Sequence, residues 1–475
     1  MTSQQAEIAA LFENAARLAA ESLREQSDPN QPVVNWIGPE DLTQALELEL
    51  PAEGRGLGSV LDLARKTLHF SVRTGHPRFV NQLFGGSDPA AIVGEWIAAL
   101  SNTSMYTYEA APVGTVVEVA LIKRLCDLVG FPEGEGVFAP GGSISNLMSV
   151  LSARQRAFPH VKQHGLREGE RPVMFASAES HYSIPRAGIV CGLGQEATIS
   201  VPVDEVGRMR VDELERLIEE QKRAGRTPFY VAATAGTTVA GAFDPIGEIA
   251  AVARRHGLWL HIDGSYGGSA LLSKKYSGLL AGSELADSMT WNPHKMMGIP
   301  LASSATLMRE PGHLEAALAM NADYLLHEDS DPQWNLGDRS LQCGRRVDAL
   351  KLWFAWQVHG DVGFERRVDG LFDQAKKFRQ LLAARPGFRL IRDQEGPNVC
   401  FRYLPPDQRD APAAERPRLE QEATIRIRSE LAREGSFLIN YASLDGAATF
   451  RLVASNPSTT DADLAALLDA IEAKG

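Results

Sequence analysis

Leu258-Trp259-Leu260-His261-Ile262-Asp263-Gly264-Ser265-Tyr266-Gly267-Gly268 is an apolar run that ends in a carboxylate and a set of glycines. A short apolar run bounded in this way reads as a buried strand, with Asp263 standing where the strand leaves its sheet. Open α/β sheets take their ligands outside the carboxyl ends of their strands, which makes Asp263 a candidate for the ligand edge. A carboxylate there is suited to holding a heteroaromatic nitrogen protonated, since an adjacent negative charge favours the cation. Capping a following helix is the other use open to it.

Runs of the same kind recur at Gly136–Ala139, Val173–Ala176, Phe229–Ala233 and Ser288–Trp291, with helical patterns between them. This alternation predicts βα units and a mainly parallel sheet. Upstream, Ile8, Leu11, Ala15, Leu18 and Leu23 predict an amphipathic helix over residues 4–25; further helices are expected from Pro89 to Leu100 and from Val113 to about Val129, the last capped by Gly130. Residues 50–75 carry no clear pattern, and beyond Trp353 charged helices dominate, with an exposed loop expected from Pro405 to Pro417. The chain therefore divides into an N-terminal helical segment at 1–75, available for packing in a dimer, a large α/β domain at 76–355 and a small α+β domain at 356–475.

With 475 residues, 44% of them apolar and 23% charged, the composition is that of a soluble folded protein. Sixty acidic against 48 basic side chains give a net charge of −12, which argues against nucleic acid or an anionic membrane as partner. Cys126, Cys191, Cys343 and Cys400 form no CxxC pair, so no disulfide framework and no metal site is expected. The N-terminus, with Glu7 and Glu13, has no basic lead-in to an apolar core, and no charge-free run reaches about 18 residues. A cytoplasmic location is the expectation.

Phe138-Ala-Pro140-Gly141-Gly142-Ser143-Ile144-Ser145-Asn146 has the form of a phosphate cradle, because glycines let backbone N–H groups approach an anion at a helix N-terminus. An ordinary Pro-Gly-Gly turn with a serine cap has the same form. Trp291-Asn292-Pro293-His294-Lys295 again follows a strand, and a lysine that bonds covalently to a carbonyl cofactor must be partly desolvated. Ser180-His181-Tyr182-Ser183 and Ala233-Thr234-Ala235-Gly236-Thr237-Thr238 also stand at strand ends. Each is weak alone. Their order, an anion turn, His, Thr-Thr, a strand-terminal Asp and Asn-Pro-His-Lys, is the layout that a pyridoxal phosphate enzyme requires.

These motifs resemble those of the group II pyridoxal-phosphate amino acid decarboxylases, in the branch of glutamate, cysteine sulfinate and aspartate decarboxylases. The resemblance runs from about His76 to Pro457 and includes His76–Leu83, Tyr106–Pro112, Ala233–Pro245, Gln342–Arg346 and Phe450–Val453. It implies the type I aminotransferase-like α/β fold, a homodimer with active sites at the subunit boundary, and pyridoxal 5'-phosphate as cofactor. By the same resemblance Lys295 bonds to the cofactor, Asp263 pairs with its ring nitrogen, and His181 stacks on the ring with catalytic effect. Thr238, Asp244 and Ser265 lie near the cofactor, and Gly142, Ser143, Asn292 and His294 hold its phosphate. Arg451 would fix a substrate carboxylate, in a pocket shared with Gln82, Phe84, Ser104 and Tyr106.

Three departures from the family pattern stand out. Asp263-Gly264-Ser265-Tyr266 replaces Asp-Ala-Ala-Trp. The segment Leu325–Gly337 is short and lacks the tyrosine with which family members return a proton after CO2 has left, which makes His327 a candidate for that task. The region before His76 resembles the family only loosely. At the three pocket positions that separate the branch members, Phe84, Ser104 and Tyr106 match the cysteine sulfinate type, whereas glutamate enzymes resemble Ser, Asn and Phe. The two aromatic rings fill space that a longer side chain needs, so a short acidic substrate, cysteine sulfinate or aspartate, is expected over glutamate. An oxidative deaminase, an aminotransferase and a catalytically silent pyridoxal phosphate protein are the other readings.

Overall fold

The computed structural model describes residues 2–320, 334–393 and 396–475, so His327 lies outside the described residues. Two compact units are present: Met1–Gly86 with Asp373–Ile391 and Pro397–Gly475, and Ser87–Phe372 with Arg392–Gly396. The N-terminal segment thus belongs to the same unit as the C-terminal strands.

Strand β1 (Phe79–Val80) belongs to the smaller unit. The larger unit contains β2 (Glu135–Ala139), β3 (Pro172–Ser177), β4 (Thr198–Val201), β5 (Thr227–Thr234), β6 (Trp259–Gly264), β7 (Ser288–Trp291) and β8 (Ser304–Met308). They form one sheet in the order β2-β8-β7-β6-β5-β3-β4. Neighbours from β7 through β6, β5 and β3 to β4 are parallel, while β8 runs antiparallel between β2 and β7. The five predicted strands are all present, and their near-continuous burial explains why they read as apolar runs without alternation. β4 and β8 are additions to that reading.

The helices at Pro89–Ser101 and Pro112–Val129 fall where expected, the second ending at Gly130 with φ 91°. A helix at Ser59–Phe70 occupies the stretch that showed no clear pattern, and none of its residues is buried. In the smaller unit β9 (Phe388–Leu390), β10 (Asn398–Tyr403), β11 (Leu438–Leu444) and β12 (Ala447–Val453) make a sheet in the order β1-β11-β12-β10-β9. The helix Ser3–Ser27 opens the chain, and a helix begins at Arg416, inside the end of the expected 405–417 loop. Among the described residues no helix is long and apolar enough to cross a membrane.

Candidate active site

The carboxyl ends of β5, β6 and β7 and the start of the helix Gly142–Ala157 open onto one cavity of about 250 Å³. Gly142, Ser143, His181, Thr238, Asp263, Ser265, Asn292, His294 and Lys295 all line it. Chain segments as far apart as residues 142 and 295 meet there because parallel neighbours present their carboxyl ends on one side of the sheet.

Asp263 is buried and Lys295 half-buried. Burial acts to raise the proton affinity of Asp263, but the Lys295 charge and hydrogen bonds from Ser265 and Asn146 overcome it and hold the carboxyl below the usual carboxylate range. Ser265 N–H donates to Oδ1 at 3.1 Å and Asn146 Nδ2 to Oδ2 at 2.9 Å. Burial also pushes the Lys295 ammonium below the usual lysine range, against the opposing pull of Asp263, which favours the neutral amine that a nucleophile needs. His181 is lowered chiefly by burial, and His294 is pushed down to about 4 by burial and then by the Lys295 charge. Both imidazoles are therefore neutral near pH 7.

The residues present fit pyridoxal phosphate. Gly141, at φ 141°, turns the chain into the helix, and its side-chain-free cap gives the first amides no side-chain partner among the described residues. A Cβ on Gly142 would come within 2.6 Å of Ser265 Oγ and 2.8 Å of Asn292 Nδ2, so only glycine allows the backbone this close to the polar wall. The buried hydroxyl of Thr234, which also lines the cavity, has no hydrogen-bond partner among the described residues. Helix amides suit a phosphate, a buried carboxylate suits a pyridinium, and a desolvated lysine suits an aldehyde.

Asp244 lies elsewhere, on the wall of a different cavity of about 590 Å³. Its carboxylate accepts from the Met209 N–H at 2.6 Å and the Thr234 N–H at 2.7 Å, so it supports the end of β5. Ser104 Oγ accepts from the Arg345 N–H at 3.2 Å, and the Tyr106 carbonyl accepts from the Gly337 N–H at 2.9 Å. Gln82, Phe84 and Arg451 belong to the smaller unit, where Arg451 on β12 donates to the Asn81 carbonyl at 3.0 Å and Phe84 packs against Phe79. Sequence reasoning passed over Thr234, Ser183 and Asn146. All three stand within the strand-end motifs, but the spacing gives no sign that Asn146 and Ser183 bond to groups in the cavity.

The model of the pyridoxal-dependent decarboxylase conserved domain matches residues 39–404, beginning well ahead of His76. The chain is 42% identical to human cysteine sulfinic acid decarboxylase over 461 residues, covering 96% of this chain and 93% of that protein. It is 40% identical to mouse acidic amino acid decarboxylase GADL1, covering 98% of this chain and 85% of that one. Among solved structures, apo mouse CSAD superposes with a TM-score of 0.95 at 39% identity, covering 98% and 99% of the two chains. Oryza sativa TDC with PLP and tryptamine, at 23% identity and a TM-score of 0.91 over 100% and 98% of the chains, shares the fold.

Proposed function

The chain belongs to the pyridoxal-dependent decarboxylase family, as an amino acid decarboxylase with pyridoxal 5'-phosphate as cofactor, and from this premise we propose that it acts on short acidic L-amino acids. L-Cysteine sulfinate would give hypotaurine and L-aspartate β-alanine, with CO2 released in each case. The observation that carries the substrate is the Phe84, Ser104, Tyr106 set in a chain so similar to cysteine sulfinic acid decarboxylases. The cofactor supplies an electron sink for the pair left behind when CO2 departs.

The chain's own residues set the conditions for that chemistry. Lys295 offers a desolvated amine, and the ionised Asp263 holds a ring nitrogen protonated. The amides of Gly142 and Ser143, with Asn292 and His294, would hold the phosphate, and His181, Thr238 and Ser265, which line the same cavity, would border the ring. Arg451 takes a carboxylate of the substrate, a task suited to a planar guanidinium with paired donors, and Gln82 belongs to the same proposed pocket. His327 is the proposed source of the returning proton.

The protein acts as a homodimer in the cytoplasm. Ile8 and Phe12, 41% and 55% exposed on a helix with no buried residue, support pairing with a second copy, and the absence of a disulfide among the described residues suits a reducing compartment. The deciding experiment offers the holoenzyme equal L-cysteine sulfinate, L-aspartate and L-glutamate in air, following oxygen and every amine and carbonyl product by mass spectrometry. Hypotaurine or β-alanine appearing first without oxygen uptake is expected. Predominant γ-aminobutyrate would overturn the pocket argument, and an aldehyde with oxygen loss would replace simple decarboxylation by oxidative deamination.

A further inference from the structure

Behind the cavity a buried chain of hydrogen bonds has donor-only and acceptor-only ends, and these fix the direction of every bond between them. At one end the Trp259 indole can only donate, and its Nε1–H donates to Ser288 Oγ at 2.7 Å. The Ser288 hydroxyl hydrogen is then available for His261 Nδ1, 2.8 Å away. That leaves the neutral His261 ring with its proton on Nε2, which donates to Asn146 Oδ1 at 3.0 Å; Thr290 Oγ1 lies farther from the same nitrogen, at 3.4 Å. With Oδ1 so committed, Asn146 Nδ2 donates to Asp263 Oδ2 at 2.9 Å and to Ser183 Oγ at 2.8 Å. The Asp263 end demands the same amide orientation independently, because an ionised carboxylate can only accept. Ser183, having accepted, donates its own hydrogen to His181 Nδ1 at 2.8 Å, and the Ser183 N–H, 3.3 Å away, addresses the same nitrogen.

We propose that Asn146 is a positioning residue, oriented by Trp259, Ser288 and His261, which gives Asp263 a fixed donor and makes Ser183 donate to His181, so that His181 keeps its proton on Nε2. Trp259, Ser288 and His261 are fully buried and do not line the cavity, so a group remote from the cofactor dictates the tautomer of a ring beside it. Burial drives the neutral form of His261, whose proton affinity falls to about 4, and lowers that of His181. The significance of Asp263 and His181 for the cofactor rests on the function proposed above; the tautomers themselves do not.

Two measurements test the chain. The first is ¹⁵N NMR of histidine-labelled holoenzyme, with the His181 and His261 signals identified from their glutamine variants. Both rings should be neutral with the proton on Nε2, and a proton on Nδ1 of either ring would overturn the proposal. The second is pyridoxal phosphate affinity, read by titrating the cofactor absorbance. Asn146→Asp keeps the shape but removes both N–H donations, and affinity should fall by about tenfold or more, the effect of losing a hydrogen bond to a charged group. Ser288→Ala, which alters nothing in the cavity lining, should lower affinity severalfold and let the His261 ring sample a second orientation, with Ser288→Thr restoring both. Unchanged affinity and an unchanged His261 signal in Ser288→Ala would overturn the remote control even if Asn146→Asp failed to fold. Wild-type protein that gave no cofactor absorbance at all would instead defeat the functional reading.

Discussion

Asp244 shows how a single buried side chain can be structural and titratable at once. Burial pushes its carboxyl up to about 7, although the Met209 and Thr234 amides pull the other way. Between the unfolded value of about 4 and this one, the folded protein holds a proton that the unfolded chain has lost. Stability from this group is therefore full at low pH and declines as pH rises through the window, by up to about 1.4 kcal/mol per pH unit. Comparing wild type with Asp244→Asn by thermal unfolding should show the wild type losing ground at that slope; parallel profiles would mean that Asp244 does not titrate there. At Arg451, replacement by Met should raise the KM for acidic substrates tenfold or more, about the worth of a charge-assisted contact, while the cofactor absorbance stays intact. An unchanged KM would remove Arg451 from the substrate site.

Between elements, a buried ion pair ties the Ser104–Tyr106 stretch to the end of β2. Arg345 Nη1 donates to Glu118 Oε1 at 2.8 Å and to the Phe138 carbonyl at 3.0 Å, and Nη2 donates to the Met105 carbonyl at 3.2 Å. Glu118, on the helix Pro112–Val129, accepts in turn from the Phe138 N–H at 3.1 Å. The end of β2 and the Ser104–Tyr106 stretch are thereby fixed through one guanidinium. Arg345→Met leaves Glu118 charged and unpaired at 0% exposure, so a loss of about 3–5 kcal/mol in urea unfolding is expected. A loss below about 1 kcal/mol would show that the pair contributes nothing beyond its desolvation cost. A second such tie is Arg367, whose Nε donates to the Met296 carbonyl at 2.8 Å and so holds the turn that carries Lys295.

Across the molecule, the buried imidazoles oppose Asp244. His261 and His294 are each pushed down to about 4 by burial, so between there and the ordinary histidine value of about 6.5 the unfolded chain binds the protons and stability rises with pH. From these three groups, two histidines against one aspartate leave a net rise of about 1.4 kcal/mol per pH unit across that window, and His76 and His181, lowered in the same direction, act with the histidines. Calorimetric unfolding that stayed flat there would show that these imidazoles are already charged in the folded protein. The amino-acid sequence by itself determined the α/β class, five of the seven strands of the large sheet, the sheet edge that carries the cavity and most of the cavity lining. It could do so because buried parallel strands read as apolar runs, and the polar residues that end them must stand on one edge. Only the tertiary structure decided that β8 inserts antiparallel between β2 and β7, that the N-terminal segment shares a unit with the C-terminal strands, and that Asp244 supports β5 from outside the cavity. It also joined Trp259, Ser288 and His261 to Asn146. Those outcomes depend on hydrogen bonds and packing between residues tens to hundreds of positions apart, and local pattern carries no record of which distant partner a side chain will meet.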